Sequence, residues 1–180
     1  MEIVEGRAEI DDVRAFVEEL DAIGDQYGLT VQAFDARYVA DAAHLRRAVD
    51  LAVRERERGD GIADDAGVEV LLYAAGRRQI DRALEMGVSE GACPVVAVAV
   101  DTAEHEWAGD PIGERERPAI DREREAAAEI GGLLEPAAAL DADGERLRSY
   151  FDITDRELGA TDGTVSDLVR ERAALLVVDR

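Results

Sequence analysis

VEVLLYAAGRRQIDRALEMGV (Val68–Val88) decides how the chain is to be folded, because it changes character at one residue. Up to Ala75 it is almost wholly apolar; Gly76 interrupts it, and Arg77, Arg78, Gln79 and Ile80 follow. A short, dense apolar run between turn signals reads as a strand buried on both faces, so Val68–Ala74 is expected to be the third strand of a sheet. Beyond Gly76, Ile80, Ala83 and Leu84 recur at helical spacing and are expected to face inward, in a helix closed by Gly87. That spacing predicts a helix with Arg77–Ile80 on its first turn. The first N–H groups of a helix lack internal partners and its dipole is positive there, so arginines at that end add to an anion-attracting field. Two readings stay open. Arg77–Asp81 and Arg82–Glu85 lie within helical reach of each other, which would make an ordinary salt-bridged face. Alternatively, Arg77, Arg78 and Gln79 form a small cationic patch for phosphate or nucleic acid.

Outward from this stretch, strands and helices alternate. Met1–Ile10 reads as a first strand. Asp11 and Asp12 then offer caps to a helix whose apolar residues Val13, Phe16, Val17, Leu20 and Ile23 follow the i, i+3, i+4, i+7 rule, with Gly28 as its stop. Leu29–Phe34 is a second strand, and a helix runs from Asp41 to about Arg58. Pro94–Val100 is another central strand. Residues 101–120 break the pattern with glycine, proline and charge, and are expected to be an exposed insertion. An acidic helix from Asp121, a shorter one over Glu145–Phe151 and a last helix capped by Thr164 complete the chain. The expectation is one α/β domain over residues 1–180, a mixed β-sheet flanked by α-helices.

The chain has 180 residues, 42 Asp and Glu against 21 Lys and Arg, and a formal net charge of -21. All 21 basic residues are arginine, and lysine and asparagine are absent. Such an excess of carboxylates strains a folded chain by self-repulsion, and molar salt, with a Debye length of about 3 Å, screens it. The composition therefore points to a salty cytoplasm such as that of a halophilic archaeon. One cysteine, Cys93, excludes an internal disulfide and fits a reducing compartment. Glu2, Glu5, Glu9, Asp11 and Asp12 are unlike a signal peptide, and no apolar run reaches the roughly 18 residues that span a bilayer.

The familiar catalytic signals are missing. The sequence has neither GxGxxG nor GxxxxGK[ST], and no GxSxG elbow. Only His44 and His105 occur, too few with one cysteine for a zinc site, so no metal or cofactor is expected. Cys93 reads as a loop or core thiol, and His105 with Trp107 as an exposed part of the insertion. His44, on the first turn of its helix beside Leu45, Arg46 and Arg47, is read first as a packing or capping residue and second as a contact to a polar ligand. No enzyme is expected from this inventory.

Val68–Val88 resembles the signature of the TPRKB family, the small non-catalytic subunit of the KEOPS complex. In that family an LLYA-like sequence meets a glycine, then a basic residue, Arg, Gln and Ile. Ala36–Ala52, with His44, and Glu157–Val178 are similar to the family's earlier and terminal segments. The resemblance implies a subunit that docks on and stimulates a PRPK-type kinase-like ATPase. It also implies recruitment of tRNA by its 3' CCA end, for the threonylcarbamoyladenosine modification next to the anticodon, with the transferase subunit an indirect partner. On that footing the tRNA-binding residues are Arg77, Arg78, Gln79, Ile80 and His44. The arginines would bracket phosphates or stack, Gln79 would bond a base edge, and Ile80 would form an apolar floor. An acidic chain should repel duplex RNA, whereas an unpaired end can be read by stacking and base-edge bonds. Two rivals stand beside this: a small α/β sensor or enzyme binding a phosphorylated metabolite at the helix N-terminus around Arg77, and a structural dimer module.

Overall fold

Alternation along Glu2–Ile10 makes a strand, β1, and its nine residues pair antiparallel with β3 (Gly91–Val100), Gly6 lying opposite Val95. β2 (Thr30–Asp35) borders β3 on its other side, and the two-residue β4 (Glu135–Pro136) pairs antiparallel with β1, so the strand order is β2-β3-β1-β4. The computed structural model describes residues 1–103, 117–141 and 143–178. Its packing separates into two compact units, Met1–Phe34 with Val88–Ala139 and Asp35–Gly87 with Leu140–Arg180. Most of the expected insertion, with His105 and Trp107, lies outside the described residues. Among those residues no helix is long and apolar enough to cross a membrane.

The first unit holds the sheet. Helix α1 (Val13–Tyr27) starts where the Asp12 carboxylate accepts the Ala15 N–H at 3.1 Å, and ends at Gly28 in the left-handed conformation, φ 65°. Both ends are where cap chemistry places them. Helix α5 (Arg117–Gly132) packs on α1 and on β1 and β3. Leu20 and Ile23 of α1 and Ala126 and Ile130 of α5 meet Cys93, Val95, Ala97 and Ala99, alternate residues of one β3 face. Cys93 is thus a core thiol. Arg122 donates to the C=O of Tyr27 at 3.0 Å and to Asp101 at 2.6 Å, a cation at the negative end of α1 that also holds the chain leaving β3.

The second unit is helical: α2 (Ala42–Glu57), α3 (Ala66–Ala75), α4 (Ile80–Ala83), α6 (Gly144–Tyr150), α7 (Asp155–Gly159) and α8 (Val165–Leu175), with 3-10 turns at Ala36–Tyr38 and Leu84–Met86. α2 packs on α3 and α8, and α3 on α8 and α4. The α/β class stands, with eight helices and four strands among the described residues. The expected third strand, however, is helix α3. Asp65 caps it, accepting the Val68 N–H at 2.8 Å, and every residue from Glu69 to Ala75 is buried. A helix covered on all sides needs no polar stripe, so its period is invisible in sequence. Its polar member, Glu69, turns inward and accepts the Ile62 N–H at 2.9 Å and the Ala63 N–H at 2.6 Å, which fastens the preceding loop.

Candidate functional site

The end of α3 fixes where the arginines stand. Gly76 adopts φ 60°, the Gly76 N–H donates to the Tyr73 C=O at 3.2 Å, and the Arg77 N–H donates to the Leu72 C=O at 3.1 Å. These two bonds form a Schellman closure, which requires a left-handed residue at the position of Gly76. A side chain there would also strike α8, since a Cβ on Gly76 would lie 3.1 Å from the backbone C and O of Arg172. α4 begins only at Ile80, after Gln79, and is four residues long. Arg77 and Arg78 therefore follow the C-terminus of α3 instead of opening a helix. That end of a helix carries partial negative charge and favours cations. Expected at the positive end of a helix, where they would add to an anion-attracting field, the arginines instead stand at the negative end of α3 and offset its dipole.

The two arginines differ in kind. Arg77 is half-buried and structural: its Nη2 donates to the backbone C=O of Tyr150 and to Asp152 at 3.1 Å, and its guanidinium lies 5.2 Å from the Tyr150 ring centroid. The expected Arg77–Asp81 pair is replaced by Arg77–Asp152, because Arg77 is not on the helix that carries Asp81. The Arg82–Glu85 pair forms, at 2.8 Å. Arg78 and Gln79 are exposed, and neither side chain has a partner among the described residues. Of the three apolar residues expected to face inward, only Ala83 is buried: α4 is a single turn, and Ile80 is 49% exposed and Leu84, one turn on, 56%. A cation, an amide and an apolar pair thus face solvent together.

His44 lies inside the unit. Its exposure is 0%; Nε2–H donates to the Ala74 C=O at 2.8 Å, and Nδ1 accepts the Ala40 N–H at 3.3 Å. Its ring meets Phe151 edge-to-face at 5.8 Å. Burial lowers its pKa to about 4, so the ring is neutral at pH 7. With both nitrogens engaged it has no atom for a ligand; it ties α2 to the last turn of α3, just before the arginines.

Arg77 and Arg82 also line a cleft of about 480 Å³ together with Tyr38, Glu85, Asp143, Glu145, Arg146, Ser149, Tyr150 and Asp152. Tyr38 and Tyr150 meet edge-to-face at 5.1 Å, and Arg146 stands 5.3 Å from the Tyr38 ring centroid. The Tyr150 hydroxyl donates to the Arg82 C=O at 2.9 Å, and burial pushes this phenol up to about 12. Asp152 has φ 53°, a left-handed backbone that a residue with a side chain seldom takes. Sequence reading gave none of Tyr38, Arg146, Tyr150 and Asp152 a role. One signal was available: in a chain with 4 tyrosines and 3 phenylalanines, Tyr150 and Phe151 stand side by side.

A family model described as kinase binding protein CGI-121 matches residues 10–176, which bears out the resemblance read from the sequence. No curated protein matches the chain.

Proposed function

The chain belongs to the CGI-121 family of kinase-binding proteins, and from that premise we propose that it is a non-catalytic subunit of the KEOPS complex that docks on and stimulates a PRPK-type ATPase and presents the 3' CCA end of tRNA. The observation that carries the tRNA half of this reading is the exposed trio Arg78, Gln79 and Ile80, whose two polar side chains are unpartnered among the described residues. Such a surface offers a guanidinium plane, an amide that both donates and accepts, and an apolar face. These are the elements by which unpaired bases are read. Arg77 and His44 hold the trio in place from behind. The metabolite-sensor alternative needs the positive end of a substantial helix at Arg77, and α4 has four residues starting at Ile80.

Binding of labelled tRNA, intact and lacking its CCA end, measured in multimolar KCl, tests the reading. Intact tRNA is expected to bind and the truncated form to lose most of its affinity. Equal binding of the two would overturn the CCA assignment.

A further inference from the structure

We propose that Arg172 is a positioning residue for the exposed surface of Arg78, Gln79 and Ile80. It acts through the turn at Phe151, on which Arg77 is seated, and so fixes the direction in which the trio leaves α3. The proposal deepens the reading above and rests on it, since it concerns how that same surface is held.

The turn needs holding from outside. α6 ends at Tyr150 with Phe151 as its cap, and the last carbonyls of a helix lack internal partners. Asp152 follows at φ 53°, a left-handed backbone that a side chain opposes. Two guanidiniums answer both needs. Arg77 Nη2 donates to the Tyr150 C=O, and Arg172 Nε donates to the Phe151 C=O at 3.3 Å. The dipole of α6 favours cations at that end as well. Arg77 also meets the Asp152 carboxylate at 3.1 Å, but that side chain is 79% exposed, and exposed ion pairs contribute little. The two bonds to backbone carbonyls therefore carry the seating.

Arg172 reaches the end of α3 in a second way. Its backbone C and O lie 3.1 Å from where a Cβ on Gly76 would stand, so α8 abuts the left-handed residue that closes α3. Gly76, Arg77, the Phe151–Asp152 turn and Arg172 thus form a ring of contacts, and Arg78 is the first residue outside it. The space they enclose with Ala75 is about 100 Å³. Small-ligand sites begin at roughly 300 Å³, so this is a joint and not a pocket. The far end of the guanidinium is tethered, Nη2 donating to Glu157 at 2.5 Å, and Glu157 also closes the capping box of α7. Arg172 therefore does two separable things. Its Nε bonds the turn, and its Nη2 pairs α8 with α7.

Two substitutions separate them. Arg172→Gln leaves an amide N–H where Nε stands and removes the group that reaches Glu157. Arg172→Lys keeps a cation for Glu157 and has only a methylene where Nε stands. The full chain in molar KCl is read by binding of labelled tRNA, intact and lacking its CCA end. Without RNA it is read by amide hydrogen exchange, with the buried α2 amides as reference. Arg172→Lys is expected to weaken binding of intact tRNA about tenfold. It should speed exchange of the Arg77 N–H, which donates to the Leu72 C=O, by a similar factor and leave the α2 reference unchanged. Arg172→Gln should match the unaltered chain in both. The opposite ranking, or losses in both variants that extend to the α2 amides, would show that Arg172 serves α7–α8 packing alone, and the proposal falls. It falls too if Arg172→Lys changes neither readout while tRNA still needs its CCA end, an outcome that leaves the tRNA reading standing. If tRNA binds equally with and without its CCA end but Arg77 loosens in Arg172→Lys alone, the tRNA reading falls and the positioning of the Arg78 segment stands.

Discussion

Protonating His44 should cost the folded chain stability in a window set by its burial. The ring is fully enclosed, with Ala40 N–H on one nitrogen and Ala74 C=O on the other. Its pKa falls from 6.5 to about 4, mainly through desolvation, while the Asp41 carboxylate opposes the fall and Arg170 adds to it. Above pH 6.5 neither state carries the proton. Between pH 6.5 and about 4 only the unfolded chain takes it, so stability declines as pH falls, by about 1.4 kcal/mol per unit. Below about 4 the folded state is protonated too, and the loss levels off near about 3 kcal/mol. Many carboxylates titrate in the lower part of that window, so the measurement is a difference. His44→Gln keeps an acceptor for Ala40 and a donor for Ala74 but cannot be protonated. Urea unfolding in molar KCl, followed from pH 7 down to pH 5, should show wild type losing about 2 kcal/mol more than the variant. Parallel curves would refute the assignment of a neutral, enclosed His44.

Gly76→Ala should lower stability by about 1–2 kcal/mol from the left-handed backbone alone, and Tm by about 2–8 °C, with any crowding against Arg172 adding to it; an unchanged melting curve by circular dichroism would contradict the Schellman closure. Arg77→Glu should lower Tm, since it puts a carboxylate against the Tyr150 C=O and Asp152, whereas Arg78→Glu should leave Tm unchanged and weaken tRNA binding. Equal effects of the two on Tm and on binding would refute the division between a structural and a free arginine.

Legibility followed how far a segment's environment departs from its own residues. α1 shows one apolar face, a capping aspartate and a terminal glycine, so its sequence declares all of it. β3 declares itself through Pro94 and an unbroken Val/Ala run. α3 is hidden because burial on every side removes the contrast on which period detection depends. Two local signals did favour a helix there: Asp65 as a cap and the preference of Leu and Ala for helices. Misplacing α3 then shifted the next helix start onto Arg77. The partners of Arg77 were out of reach of any local reading, since Tyr150 and Asp152 lie 73 and 75 positions further along. Arg78 and Gln79 face solvent as the reading of a polar patch required, whereas Ile80 and Leu84, expected to face inward from their helical spacing, are exposed; the inward placing of His44 matched its reading as a packing residue and not its reading as a ligand contact.

The position of the arginines also decides what salt should do to RNA binding. For single strands the logarithm of affinity falls with the logarithm of salt by about 0.7 per phosphate neutralised. Were Arg77, Arg78 and a helix dipole all to hold phosphates, affinity would fall by about two decades for each tenfold rise in salt. With Arg77 committed to Tyr150 and Asp152, Arg78 is the one guanidinium of the pair still available, and the fall is nearer fivefold. A loss of that size is small enough for stacking and base-edge bonds to offset, even on a chain carrying a net charge of -21. The acidic surface and the RNA-facing role are therefore compatible only if bases, not phosphates, supply most of the affinity. A steep salt dependence would remove that compatibility, and with it the case for reading Arg78, Gln79 and Ile80 as a base-contacting surface.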